Sequence, residues 1–487
     1  MEKQKIHFIG IGGIGVSALA RFFLAQGYEV SGSDAMESGI IGDLRSLGAR
    51  VSTPELPHPS PLLEKERGQK IDLVVYSAAV QEDNPELAEA RRLGIKTQKY
   101  AQALGELTKE KFTIAVSGMH GKSTTTAMIG LMMEKAGLDP TVILGTKVEW
   151  EKTITSPPAY AESFGEAQQP SPLKGEGEIP LNLPFEKGGE NYSNFRPGKS
   201  KYLLVEADEY DKSFLNYWPK ILVLLNIEEE HLDTYKGGLP EIMETFGKYI
   251  SHLPEDGILV ANGEDENIAK LVGADFKLRV EKYDSENAHG LDLKVPGKHN
   301  LSNANAALAV AKVLGIDEKI AVEALNGFSG AWRRMEYKGE LNGAKIYDDY
   351  GHHPTEIKAT LEGARSLVGG SGRLWCVFQP HQYHRTHDLF DQFVVAFGSA
   401  DKTIILPIYS VAGREDEEIK QKVSSEKLVL RLRAQDKSKE IRYILNFDEA
   451  AEYLRKNLQS GDVCVIMGAG DVYKLTELIV LKQKARD

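Results

Sequence analysis

Two apolar runs in this chain end in glycines and pass straight into helical patterns. They are KIHFIGIGGIG (residues 5–15), followed by SALARFFLAQG, and FTIAVSGMHGKSTTT (residues 112–126), followed by AMIGLMMEKAG. A continuous apolar run without alternation has no wet face, so it reads as a strand covered on both sides. Strands of that kind pair in parallel, and the chain must return through a crossover helix. The pattern recurs in YEVSGSD, IDLVVYSAAV (71–80), YLLVEAD (202–208), ILVLLNI (221–227), GILVANG (257–263), LWCVFQP, KTIILPI and DVCVIMG, so the chain is expected to be α/β with mainly parallel sheets. GKHNLSNANAALAVAKVLG (297–315) reads as a loop feeding an alanine-rich helix. At 487 residues the chain exceeds a single core, and boundaries are expected near residues 110 and 328.

A net charge of −12 and a pI near 5.6 argue against a nucleic-acid or membrane partner held by a basic surface. An anionic ligand must instead be met by a local site. The N-terminus lacks an apolar core with a cleavage site, no apolar run of spanning length occurs, and the chain reads as cytoplasmic. The two cysteines, Cys376 and Cys464, lie in apolar strand-like runs and read as small core residues. PSPLLEKERG (59–68) resembles PSPLKGEGE (170–178), and neither fits the surrounding rhythm; 151–199 is rich in Pro, Gly, Glu, Ser and Asn, as in a surface insertion.

The second glycine turn departs from the usual phosphate loop, G-x-x-x-x-G-K-[ST]. Gly121, Lys122 and Ser123 are in place, but five residues before Gly121 stands Val116, and the upstream glycine is Gly118. A strand entering and a helix leaving aim backbone N–H groups and the helix dipole at a phosphate. Lys122 would then neutralise the terminal phosphates, and the Ser123 hydroxyl would reach Mg²⁺. The competing reading is a helix start with no ligand. In the first turn, Gly10, Gly12 and Gly15 fit G-x-G-x-x-G loosely, with Asp34 about twenty residues on, which makes NAD the first candidate. Glycines serve any pyrophosphate equally, so they do not choose the ligand.

Beyond two further strands lie EADEYD and EEEHLD, carboxylates and a histidine where α/β folds bind ligands. Glu206 and His231 could complete a Mg²⁺ site with Ser123, although histidine is an unusual ligand for that ion. The alternatives are a solvated acidic loop and a hydrogen-bonded loop histidine.

Taken in order, the short loop, the EAD strand end, N-x-x-x-[DE]-H-x-D, G-K-H-N-x-x-N and D-D-Y-G-H-H-P-T make the chain similar to the Mur ligases of peptidoglycan synthesis. The similarity spans nearly the whole chain apart from the two insertions. GIGGIGVSALA with GSD, and FQPHQYHRTHDLF near residue 380, resemble members that join L-alanine to UDP-N-acetylmuramate with ATP and Mg²⁺ through an acyl phosphate.

The resemblance implies three domains. Residues 1–109 would be a Rossmann-like UDP-sugar-binding domain, 110–328 a central P-loop ATPase-like domain, and 329–487 a Rossmann-like domain for the amino acid. It also implies roles. Gly118, Gly121, Lys122, Ser123, Thr124, His299, Asn300, Asn303, Arg334 and Asp349 would bind ATP, with Arg334 at the γ-phosphate and Arg333 assisting. Gly10, Gly12, Gly13, Gly15, Asp34, Ser77 and His120 would bind the UDP-sugar. Tyr350, His352, His381 and Arg385 would line the amino-acid pocket. Ser123, Glu206 and His231 would hold the metal. Lys122, His231, Arg334 and His352 are the residues expected to carry catalysis.

The chain departs from the family pattern at Gln382, His384, Glu230 and Tyr210. Tyr210 also occurs in a sister enzyme that joins a tripeptide to the same sugar, which is the alternative function. An NAD-dependent oxidoreductase built on GIGGIG, or a non-catalytic nucleotide switch, are the readings from other classes.

Overall fold

The computed structural model describes residues 4–54, 71–150, 192–231, 234–273, 276–286, 290–410 and 417–484. The two Pro-Ser-Pro segments, and most of the stretch read as a surface insertion, lie outside the described residues. The chain divides into two compact units, Met1–Ala261 with Asp265–Glu281, and Asn262–Glu264 with Lys282–Asp487. Each carries the expected α/β layering.

The first unit opens with a five-stranded parallel sheet in the order Arg50–Ser52, Glu29–Ser33, Lys5–Ile9, Leu73–Tyr76, Lys96–Lys99. Lys5–Ile9 is central, and Ile6 and Phe8 are fully covered, as its unbroken apolar run requires. Helix Ile14–Ala25 packs Val16, Ala18, Leu19, Phe22 and Phe23 into the same core. Strand order reverses at the centre, which opens a crevice at the strand ends where the Gly10 turn lies.

A seven-stranded sheet follows, in the order Arg279–Tyr283, Ile258–Asn262, Ile221–Leu224, Phe112–Ser117, Tyr202–Glu206, Thr141–Glu149, Tyr192–Arg196. Tyr192–Arg196 runs antiparallel to Thr141–Glu149, while the strands from Ile258–Asn262 to Thr141–Glu149 pair in parallel. Phe112–Ser117 sits between Ile221–Leu224 and Tyr202–Glu206, with Ser117 opposite Leu224 and Val116 opposite Glu206. That register places the phosphate-like turn beside two strand ends remote in sequence.

The second unit holds a six-stranded sheet, parallel except for Glu336–Leu341, which forms a hairpin with Ala344–Asp349. Cys376 and Cys464 are buried free thiols on adjacent strands, as their apolar settings imply. The sequence reading is corrected at GKHN. The helix spans Lys298–Leu314, so His299 and Asn300 are in its first turn rather than in a preceding loop. Gly297, at φ 109°, turns the chain into the helix, and its carbonyl accepts from Asn300 and Leu301 N–H. No helix among the described residues is long and apolar enough to cross a membrane.

Candidate active site

The first glycine turn closes on Asp34, whose Oδ2 accepts the Gly12 N–H at 2.8 Å and whose Oδ1 accepts that of Met36 at 3.2 Å. Gly10 and Gly13 share a turn bond, and Ser77 lies against Gly10. Gly15, in the first turn of helix Ile14–Ala25, lies against the Tyr100 ring. Five of the expected UDP-sugar residues therefore gather around one turn with Ser77. His120 lies instead on the second turn, near Glu228 (3.7 Å) and Glu230 (3.9 Å).

In the second turn, Gly118 has φ 138°, and a Cβ there would meet Asn226 N and Leu225 Cβ at 3.0 Å. Only glycine fits both the conformation and the space. Gly121, at φ 82°, caps helix Lys122–Lys135, whose Ser123, Thr124 and Thr125 are buried. Asn226 clamps the turn from the adjacent strand end: its Oδ1 accepts from His120 N at 2.8 Å and its Nδ2 donates to His120 O at 3.0 Å. Asn226 stood in the quoted motif, but nothing local revealed the clamp.

Ser123 Oγ donates to Glu206 Oε1 at 2.9 Å. Lys122 Nζ donates to Gly118 O (2.7 Å), Met119 O (3.0 Å) and Glu209 Oε2 (2.7 Å). Burial disfavours the ammonium, but Glu209 and Asp208 outweigh it and raise its pKa. The other oxygen of Glu209 meets His231 Nε2 at 3.1 Å. Burial opposes the imidazolium too, yet Glu209 and Glu230 raise the His231 pKa. The His231 ring is thus committed to Glu209, and Tyr210 packs edge-on to it at 5.1 Å. Glu209 was missed in the sequence because EADEYD offers several acids and no periodicity to say which turns inward.

The second unit gathers the remaining residues. Asn300 Nδ2 donates to Pro296 O at 2.7 Å, and Asn303 Nδ2 to Asn300 Oδ1 at 3.4 Å. Burial, with Arg334 nearby, pushes His299 down to about 4 against the opposing pull of Glu356. The Arg334 guanidinium lies 5.1 Å from the Tyr350 ring centre and 3.7 Å from Glu356. Asp349 is buried, its oxygens accepting the Met335 and Gly351 N–H groups at 2.8 Å each. Tyr350, His352 and His381 follow as successive edge contacts of 5.4 and 5.9 Å, and Arg385 Nη1 is 3.3 Å from His381 Nδ1. Burial and Arg385 hold His352 well below the ordinary histidine pKa. Two residues went unnoticed in the sequence: Glu356, which also accepts the His352 N–H at 2.9 Å, and Tyr409, stacked on His381 at 5.5 Å.

Arg333 is placed differently from Arg334. It is 2% exposed, and its guanidinium donates to Asp348, Gly468 O and Gly470 O. Its backbone is left-handed, at φ 54°, and its guanidinium lies 5.3 Å from the Tyr350 ring centre.

Comparison with known proteins bears on the family and the fold. Profiles of the Mur ligase family match in series: the catalytic domain over residues 5–112, the middle domain over 116–289 and the glutamate ligase domain over 333–470. UDP-N-acetylmuramate–L-alanine ligase of Acetivibrio thermocellus is 38% identical, the match covering 99% of this chain and 96% of that protein. The enzyme of the same name from Clostridium tetani is also 38% identical, covering 98% of each. The crystal structure of UDP-N-acetylmuramate-alanine ligase from Thermotoga maritima shares the three-domain fold, with a TM-score of 0.74 at 24% identity over 99% of this chain and 100% of that one. The three profiles in series, and relatives matched over nearly their whole length, show that the chain belongs to the Mur ligase family.

Proposed function

We propose that this chain joins L-alanine to the lactyl carboxylate of UDP-N-acetylmuramate with ATP, in the cytoplasm, as a step of peptidoglycan precursor synthesis. The observation that carries this reading is the phosphate turn, with Lys122 and Ser123 meeting carboxylates from the neighbouring strand end, in one chain with the His352–His381–Arg385 cluster. A carboxylate is a poor acylating agent. One of its oxygens attacks the γ-phosphorus, the bond to ADP breaks, and the acyl phosphate has a leaving group. The alanine amine then adds to the acyl carbon and inorganic phosphate departs.

Phosphoryl transfer leaves the protein mainly the task of stabilising charge. Lys122 and Arg334 do this from the protein side, and His299, Asn300, Asn303 and Asp349 serve the nucleoside. Ser123 and Glu206 present the oxygen donors that Mg²⁺ prefers and would hold it, with His231 as a third ligand once released from Glu209. Bound there, Mg²⁺ would draw charge off the phosphate oxygens. Gly10, Gly12, Gly13, Gly15, Asp34, Ser77 and His120 serve the UDP-sugar. The Arg385 fork matches the alanine carboxylate. His352, held neutral by burial and Arg385 and with Nδ1 3.1 Å from Tyr350 O, would line the alanine pocket without adding a positive charge beside the incoming amine. Domain boundaries near residues 110 and 328 belong to this reading.

The test is phosphate release with ATP, UDP-N-acetylmuramate and single amino acids. Release should depend on both the sugar and L-alanine, and Lys122→Ala should keep less than about a tenth of the rate, a loss above about 1.4 kcal/mol. Faster turnover of a tripeptide than of L-alanine at equal concentration would overturn the acceptor assignment.

A further inference from the structure

Glu209 is the buried member of an acidic run whose neighbour Asp208 has a side chain 57% exposed, while that of Glu209 is fully covered. One oxygen meets Lys122 at 2.7 Å and the other His231 at 3.1 Å. Its backbone is pinned as well: the Glu209 carbonyl accepts from the Tyr235 hydroxyl at 2.6 Å and from Lys212 N at 3.0 Å, and Tyr235 is itself buried. Asp211 (φ 52°), Lys212 (φ 54°) and His231 (φ 55°) all adopt left-handed backbone around it. Non-glycine residues persist in that region only where the surroundings hold them there, and such strain gathers at working sites.

A carboxylate buried to this degree needs a cation. The cation here is the lysine that the phosphate turn must offer to its ligand. A phosphate arriving at Lys122 therefore competes with Glu209, and the same carboxylate sets the orientation of the His231 ring. We propose that Glu209 is a positioning residue of the ligase: it seats Lys122 in the phosphate turn and orients His231, opposing nucleotide binding while ordering groups used in the transition state. The inference rests on the reading that this turn binds ATP.

Calorimetric titration of the full-length protein with ADP, together with initial rates, separates the two effects. Glu209→Gln removes the competing charge at constant shape. It should bind ADP at least about threefold more tightly, yet turn over at least about tenfold more slowly at saturating substrates. A residue that only supports the fold would lose affinity and rate together. Glu209→Asp keeps the charge but shortens the reach, so its ADP affinity should stay within about twofold of wild type while kcat still falls. Unchanged or weaker ADP binding by Glu209→Gln, or equal tightening in both variants, overturns the inference. If Glu209→Gln does not fold, Glu209→Asp decides: affinity falling in step with rate overturns the proposal. A wild-type protein that binds no ADP overturns the ATP reading itself; wild-type binding with unresponsive variants overturns only the role of Glu209.

Discussion

Ser123 and Glu206, separated by 83 positions, meet at 2.9 Å as hydroxyl donor and carboxylate acceptor. The strand leading into the Ser123 turn lies beside the strand ending at Glu206, with Val116 opposite Glu206, and the second Glu206 oxygen accepts the Gly145 N–H at 2.8 Å. Parallel pairing brings the strand ends to one edge of the sheet, so a hydroxyl at a helix start and an acid at a strand end become one oxygen donor set.

Replacing Glu206 with Gln removes the negative charge but leaves atoms able to bond Ser123 and Gly145. The expected result is a rise of about tenfold or more in the Mg²⁺ concentration giving half-maximal rate, with little change in melting temperature. An unchanged Mg²⁺ requirement would remove Glu206 from the metal site.

Arg385→Lys replaces a planar fork with a point charge and loses the 3.3 Å approach to His381. The KM for L-alanine should rise about tenfold, about 1.4 kcal/mol, while that for ATP stays within about twofold. Steady-state kinetics with each substrate varied in turn will show it. Equal effects on both would mean that Arg385 does not hold the amino acid.

Arg333→Ala would leave Asp348 buried without the guanidinium that pairs with it and take a donor from the Gly468 and Gly470 carbonyls. Burial already pushes Asp348 up to about 6, with Arg333 pulling the other way. The loss should be about 3–5 kcal/mol, the usual result of breaking one side of a buried pair. Denaturant unfolding will measure it. A loss below about 1 kcal/mol would contradict the structural assignment of Arg333.

The His299 pKa of about 4 lies below the value of about 6.5 for an unfolded chain. Between those values the unfolded state binds more protons, so the contribution is full above about pH 6.5 and declines as pH falls towards 4. By pH 5 the cost should be about 2 kcal/mol. His299→Gln cannot titrate, so wild type should lose more stability than the variant between pH 7 and pH 5. Parallel unfolding curves for the two proteins would exclude the shift.

Much of the architecture was legible from local pattern. Unbroken apolar runs marked the central strands of all three sheets, and Gly118, Gly121, Lys122 and Ser123 stood at their spacing on one turn. The order of motifs pointed to the family before any strand was paired. These signals survive in one dimension because strand burial, glycine conformation and helix starts depend on near neighbours.

Tertiary structure decided which of two adjacent like residues faces inward. Arg333 is buried against Asp348 and two distant glycine carbonyls, while the side chain of its neighbour Arg334 is 28% exposed beside Tyr350 and Glu356. Asp208 and Glu209 part in the same way. Charge and spacing are nearly identical within each pair. What separates them is the local backbone turn and partners brought from remote strands, because a buried charge is tolerated only where a counter-charge and hydrogen bonds already converge.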